Sequence, residues 1–405
     1  MRIGVYAAAK NEEKHALDWY VSCQAADVIV VADTGSTDNT RYKLESTFRV
    51  DVTSIRILPW RFDDAFNFAM ALLPSDIDVC IRLDLDERLQ TGWREALEKA
   101  WVPGTDQLRY EYVWNWIDGK PGLQWLGDRI HSRVGFRWRG ATHEGLEYRL
   151  GVSKQITCLD VKIWQFSDPK VKNDLTLLGE AEREAPTDSR VKLYLARELM
   201  TQGFGERAAA KYKEYLKLIE ADRSLIPERL LAYRNLAKLE PTYADYWLAH
   251  AMAKNDTFRE PYVDLARLFY AQENWKRSLY YAEMALEIKE RPLDYTCDPE
   301  ACGPLPHDLA ASCAWALADA AEETAEKLEL YEKARGHLLQ AIKLSPTDPK
   351  LLNNLHFVEE KLDAAQKRAY ESKISCSKCD GRGYLDSYNG TIHCSACNPP
   401  VEHER

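Results

Sequence analysis

Two stretches of this chain, "LARELMTQGFGERAAAKYKEYL" and "LARLFYAQENWKRSLYYAEMAL", align without a gap seventy residues apart. The alignment sets Ala196 against Ala266 and Ala208 against Ser278, and a further copy, "EKARGHLLQAIKLSPTD", carries Ala334, Ala341 and Pro346. Small residues at fixed positions let paired helices approach closely, and a proline stops the helix before it. A two-helix unit cannot bury its own apolar face, so such copies must stack. Residues 170 to 370, rich in Ala, Leu, Glu and Lys, are therefore expected to form an all-helical array of hairpins. "GFGERA" (203–208) imitates part of a dinucleotide fingerprint. It follows a helical run where that fingerprint needs a strand, so it reads as a turn between helices.

The first 165 residues alternate instead. "RIGVYAAA", "DVIVVAD", "VTSIRIL" and "IDVCIRLD" are short apolar or β-branched runs. Helical patterns lie between them in "NEEKHALDWYVSCQ", "TDNTRYKLESTF" and "DDAFNFAMALL". This order predicts an α/β domain with a mainly parallel sheet and ligands beyond the carboxyl ends of its strands. Residues 100 to 165, rich in Trp, Arg and Gly, read as its irregular, strand-containing half. Trp114, Trp116, Trp125 and Trp138 crowd there, either as a wall for sugar rings or as a seal against the sheet.

The tail holds Cys376, Cys379, Cys394 and Cys397 in C-x2-C-x14-C-x2-C spacing. Two close pairs of thiolates match a tetrahedral structural zinc site, with His393 as a substitute ligand and Asn389-Gly390 as a hairpin turn between the pairs. A small knob with little core needs such a staple. Cys297 and Cys302, in "YTCDPEACGP", form at most half a ligand set.

A chain of 405 residues has room for these three parts, with boundaries expected at 1–168, 169–370 and 371–405. Asn11, Glu12 and Glu13 interrupt the first apolar run, and no stretch is long and apolar enough to span a bilayer. A soluble, cytoplasmic protein is expected. The net charge of -10 argues against a nucleic acid as main partner.

The chemistry concentrates in "VCIRLDLDERLQ" (79–90), where an apolar run ends in Asp84, Asp86 and Glu87. In an extended segment alternate residues share a face, so Asp84 and Asp86 should point the same way. Like charges so close call for a cation between them, and oxygen ligands suit Mg2+ or Mn2+. Asp33 ends the second apolar run, where a carboxylate can accept from a ribose or base, and Ser36, Thr37 and Asp38 can cap the next helix.

These stretches together resemble the family 2 glycosyltransferases of the GT-A (Rossmann-like) fold. "RIHSRVGFRWRGATHEGLEYR" (129–149) is similar to the segment of one branch that ends in G-x-x-H-E. That branch includes enzymes fused to tetratricopeptide repeats, among them peptide glycosyltransferases of the sublancin type, and the helical copies resemble that repeat of about 34 residues. The resemblance implies a nucleotide-sugar donor, most simply a UDP-sugar. It puts Asn11, Glu12, Asp33, Asn67 and Asp84 on the donor side and a divalent ion on Asp84, Asp86 and His143. Glu144 is then the first candidate for the base of an inverting displacement and Glu87 the second. Phe66 stands where relatives carry an arginine, so Arg61, Arg129, Arg133 or Arg137 is left to meet the phosphates. The expected acceptor is a protein or peptide docked on the repeats, which could also self-associate. A glycan, a modified DNA base, or a non-catalytic scaffold are the alternatives.

Overall fold

The computed structural model describes residues 1–46, 50–117, 119–166, 174–222, 224–253, 257–374, 384–387 and 390–393. The expected strands form first. β1 (Ile3–Ala9), β2 (Val28–Asp33), β3 (Val50–Ser54) and β4 (Val79–Arg82) are parallel, with α1 (Ala16–Cys23), α2 (Thr40–Glu45) and α3 (Phe62–Ala71) between them. The stretch after β4 adds β5 (Glu87–Leu89), α4 (Trp93–Ala100), β6 (Gln107–Val113), the short pair β7 (Trp116–Ile117) and β8 (Lys120–Pro121), and β9 (Gln124–Ser132). A hairpin of β10 (Phe136–Arg139) and β11 (Gly145–Tyr148) follows, then β12 (Gln155–Gln165).

One mixed eight-stranded sheet results, in the order β3-β2-β1-β4-β9-β6-β12-β5. β9 runs antiparallel to both β4 and β6, and β5 antiparallel to β12. Ile3, Val5, Ala7, Trp19, Val31, Ile81, Leu108 and Ile163 pack on one face; Tyr6, Val30, Phe66, Met70 and Trp138 pack on the other. Burial on both faces explains why β1, β2 and β4 read as continuous apolar runs. The carboxyl ends of β1, β2 and β4 converge on one edge of the sheet, as parallel strands must.

Contacts divide the chain into two compact units, 1–255 with 291–297, and 256–290 with 298–405. The first holds the sheet and α5 (Leu175–Glu184), α6 (Ser189–Thr201), α7 (Gly205–Leu218), α8 (Ile226–Leu239) and α9 (Ala244–Met252). The "GFGERA" segment is the α6–α7 turn, where Gly203 takes a positive φ of 81° and Gly205 opens α7. The second unit holds α10 (Glu260–Ala271), α11 (Trp275–Glu287), α12 (Pro299–Cys302), α13 (Leu305–Ala320), α14 (Thr324–Leu344) and α15 (Pro349–Ile374).

The repeated small residues sit where the helices touch: Ala196, Ala208, Ala266, Ser278, Ala334 and Ala341 are all fully buried. Ser278 keeps its place in an alanine position because its Oγ donates to the Ala266 carbonyl at 2.8 Å. α14 stops at Leu344, two residues before Pro346. Beyond α15, β13 (Tyr384–Ser387) and β14 (Gly390–His393) pair antiparallel, with Ser387 opposite Gly390. Gly390 is thus a strand residue. Cys376, Cys379, Cys394 and Cys397 lie outside the described residues, as does Asn389. The six described cysteines, Cys297 and Cys302 among them, form no disulfide among the described residues. No helix among the described residues is long and apolar enough to cross a membrane.

Candidate functional site

β4 ends at Arg82, and the chain then turns tightly, with Glu87 N–H donating to the Asp84 carbonyl at 2.9 Å. The segment is therefore not extended, and the two aspartates do not share a face as alternation would have it. Arg82 is the reason. It is a buried cation inside an apolar strand and must be paired. Its guanidinium sits 3.3 Å from the Phe66 ring centroid and 4.5 Å from that of Trp138. Nε and Nη2 donate to the two Asp84 oxygens at 3.2 and 2.9 Å, and Nη1 donates to Glu144 Oε1 at 2.5 Å. Arg129 adds a third donor to Asp84, at 3.1 Å. Phe66, standing where an arginine was expected, thus serves as the platform under another arginine.

Glu87 is 1% exposed. It accepts from Arg129 Nη1 at 2.7 Å and from the Asp84 N–H at 2.9 Å, and its Oε1 lies 2.6 Å from Tyr112 Oη. Burial pushes its carboxyl up to about 7; Arg129 pulls it down, and Asp84 and Asp86 push it further up. The Tyr112 hydroxyl also lies 2.8 Å from Gln165 Oε1, while Gln165 Nε2 donates to Asp86 Oδ2 at 3.2 Å. One phenolic hydrogen cannot serve both the Glu87 and the Gln165 oxygen. A proton on Glu87 resolves this, because Glu87 then donates to Tyr112, Tyr112 to Gln165, and Gln165 to Asp86. Enclosed in this way, Glu87 cannot meet an acceptor group directly.

The ends of β1 and β2 are laced together. Asp33, 3% exposed, accepts from Ser36 N–H at 3.2 Å and Ser36 Oγ at 2.5 Å, and that Oγ accepts from Asn11 N–H at 3.0 Å. Asn11 Oδ1 accepts from Thr37 N–H at 2.7 Å, and Glu12 N–H donates to Thr40 Oγ1 at 2.7 Å. Asp38 holds the start of α2 through Thr40 N–H at 3.0 Å. Asn67 is a clip: its amide accepts from Trp138 N–H and donates to the Trp138 carbonyl, both at 2.9 Å, fastening α3 to β10. Trp138 itself is a seal, buried against Phe66, with its Nε1 donating to Tyr6 Oη at 2.8 Å. The Tyr6 hydroxyl meets His131, a fully buried imidazole that desolvation pushes down to about 4. Trp114 and Trp125 form an aromatic wall beside Tyr112, with Trp125 4.6 Å from its ring and Trp114 partly exposed. Trp116 packs edge-on against Trp164.

His143 takes a positive φ of 49°, as Asn11 takes one of 57°. Such backbone costs a non-glycine residue of order 1–2 kcal/mol and must be held by its surroundings. Arg190 of α6 donates from Nε to the His143 carbonyl at 3.1 Å, and Tyr194 stacks on the imidazole at 4.0 Å and 8°. The His143 Nε2 lies 3.8 Å from Asp174 Oδ2. A cavity of about 430 Å3 opens beside it, between the β10–β11 hairpin and α5–α6, with Arg61, Arg139, His143, Leu178, Arg190 and Tyr194 in its walls. Asp84, Asp86 and His143 do not converge: among the described residues no three His, Cys, Asp or Glu side chains form a ready metal shell.

Arg82, Tyr112, Gln165, Arg190 and Tyr194 escaped the sequence reading. A lone arginine in "VCIRLD" was the available signal, since a cation inside a buried strand needs acidic partners. Nothing local marks a tyrosine in a helical repeat as the partner of a histidine fifty-one positions earlier.

No protein-family description matches the chain, and no curated protein matches it. Among solved structures it is similar to a thermophilic TPR protein of Thermus thermophilus, at 15% identity over 45% of this chain and 88% of that one, with a TM-score of 0.29. It is also similar to YrrB, a TPR protein with an unusual peptide-binding site, at 16% identity over 50% of this chain and 95% of that one, with a TM-score of 0.34. Identities and TM-scores are low, and the tetratricopeptide-like character of the helical part rests on its repeated small residues and paired helices.

Proposed function

We propose that the chain is a metal-dependent inverting glycosyltransferase of the GT-A type, moving a sugar from a nucleotide-sugar, a UDP-sugar first, to a protein or peptide acceptor. One observation carries the reading. Asp84, Asp86, Glu87 and Glu144 are linked around two guanidiniums, Arg82 and Arg129, just past the carboxyl end of β4. Arg88 is a further cation near Asp86 and Glu87, but no described cation forms an ion pair with Asp86, which is therefore the acid that favours a further positive charge.

Asp86 fits a hard divalent ion, Mn2+ or Mg2+: it is half-buried, and its Oδ1 has no partner among the described residues. Asp84 fits less well, because both its oxygens already answer arginines. His143 would have to leave Asp174 to join. A divalent ion held there would supply stabilisation of the negative charge that develops on a departing diphosphate. The chain's own residues do the rest. Asn11, Glu12 and Asp33 set the nucleoside side through the 33–40 loop, and Asn67 holds the hairpin that carries Glu144. Glu144 is the base for the acceptor proton, and Glu87, being enclosed, keeps Asp86 and Arg129 in place. The tail cysteines are read as a zinc knob, and the stacked hairpins as the surface that docks the acceptor.

A second reading, a non-catalytic repeat scaffold, has its own observation: Asp84 is saturated by arginines and His143 is covered by Tyr194. Release of nucleoside diphosphate from a panel of nucleotide-sugars by the full chain, with and without Mn2+, separates the two. Slow Mn2+-stimulated hydrolysis that Asp86→Asn abolishes is expected. No release from any donor, under conditions where the chain is folded, leaves the scaffold.

A further inference from the structure

The four arginines open to a phosphate role at the sequence level fare poorly. Arg61 is spent on Asp63 and Glu184, Arg129 on Asp84 and Glu87, and Arg133 on the carbonyls of Leu73 and Pro74. Arg137 lies on the exposed face of β10 and is not in the wall of the cavity beside His143.

Arg190, at the start of α6, differs from all four. It lines that cavity, and Nε is anchored on the His143 carbonyl at 3.1 Å. Its guanidinium carbon lies 5.1 Å from the centroid of Tyr194, the ring that stacks on His143. A Cβ added at Gly145 would stand 3.9 Å from its Cζ, so the guanidinium lies beside the residue that follows Glu144. Nη1 and Nη2 make no hydrogen bond among the described residues, although Asp128 and Glu144 are near enough to favour the guanidinium's charge. A guanidinium fixed at one end with both terminal nitrogens open is the fork that binds phosphate oxygens bidentately.

We propose that Arg190 is a diphosphate-binding residue of this site, supplied by the first helical hairpin in place of the arginine that α3 lacks. The assignment rests on the transferase reading for the identity of the ligand as a nucleoside diphosphate. Tyr194 is a positioning residue in the same arrangement, carrying both the imidazole and the guanidinium.

Calorimetric titration of the full chain with UDP, uridine and inorganic pyrophosphate, each with Mn2+, tests it. Arg190→Gln is expected to weaken UDP and pyrophosphate roughly tenfold to a hundredfold, the range of a hydrogen bond between charged groups, and to leave uridine unchanged. Arg190→Lys should recover part of the loss, and the matched control Arg137→Gln should lose nothing. In Arg190→Gln the salt dependence of binding should flatten. UDP bound equally by wild type and Arg190→Gln overturns the assignment and spares the transferase. Pyrophosphate bound through Arg190 with no nucleotide bound keeps the assignment and overturns the transferase. A chain that binds none of the three overturns both.

Discussion

A single turn separates what Asp84 and Asp86 do. Both looked alike as D-x-D, and their nearness to the end of β4 was legible. Their division was not, because it depends on where β4 ends and on Arg129 and Gln165, which arrive from β9 and β12. Glu87 shows the same limit: its spacing marks it as one more acid, while its enclosure by Tyr112, Arg129 and the Asp84 backbone is a tertiary fact. That enclosure has a consequence for stability. The carboxyl is held up to about 7 from an ordinary 4.5, so between those values the native state keeps a proton that the unfolded chain has lost. Stability from this group is full below about pH 4.5 and is lost as pH rises through about 7, a change of a few kcal/mol. His131 and His307, both pushed down to about 4 by burial, slope the other way. Comparing urea unfolding of wild type with Glu87→Gln from pH 4.5 to 8 cancels those histidines. Wild type should lose stability relative to Glu87→Gln across the window; a constant difference would mean that Glu87 is ionised throughout.

At the scale of elements, β1, β2, β4 and α3 were readable because burial on two faces writes an apolar run and burial on one writes a helical stripe. β6, β9 and β12 were not. They alternate polar and apolar residues irregularly, β9 as "QWLGDRIHS", and both pairings among them, β12 with β6 and β6 with β9, run through register shifts that no period reports. α1 begins at Ala16, later than the pattern from Asn11 implies, since Asn11 is committed to the β2 loop by its left-handed backbone. Asn67 belongs here too. Sequence resemblance assigns it to the donor, whereas its amide spans two backbone groups of Trp138. Asn67→Ala leaves that N–H and carbonyl without their partner inside the domain, at a cost of about 2 kcal/mol. Thermal unfolding of Asn67→Ala should show this loss, and Asn67→Asp, which can accept but not donate, should fall between. A donor contact alone would leave the melting temperature of the unliganded chain unchanged.

For the whole molecule, composition changes near residue 168, but the compact unit that holds the sheet runs on to 255. The reason lies in Arg61 and the 139–147 segment. Arg61 pairs with Glu184, Thr142 with Asp174, His143 stacks on Tyr194 and takes the Arg190 donor, and each of these partners comes from residues 174–194. A boundary drawn from amino-acid type cannot register this, because α5 and α6 have the composition of the repeats and the contacts of the site. A chain cut after residue 168 would take Asp174, Arg190 and Tyr194 away from His143, which holds a left-handed conformation, and remove part of the cover of Leu146. Such a fragment is expected to be cleaved in the 139–147 segment under limited proteolysis that spares the full chain, since local opening follows lost packing. It should also lose the thermal shift that the proposed function expects of UDP with Mn2+ on the full chain, which for a ligand that binds the native state grows with its concentration over Kd. A fragment of residues 1–168 that resisted protease and gave the full shift would show that the sheet completes the site alone, and that the helices serve another end.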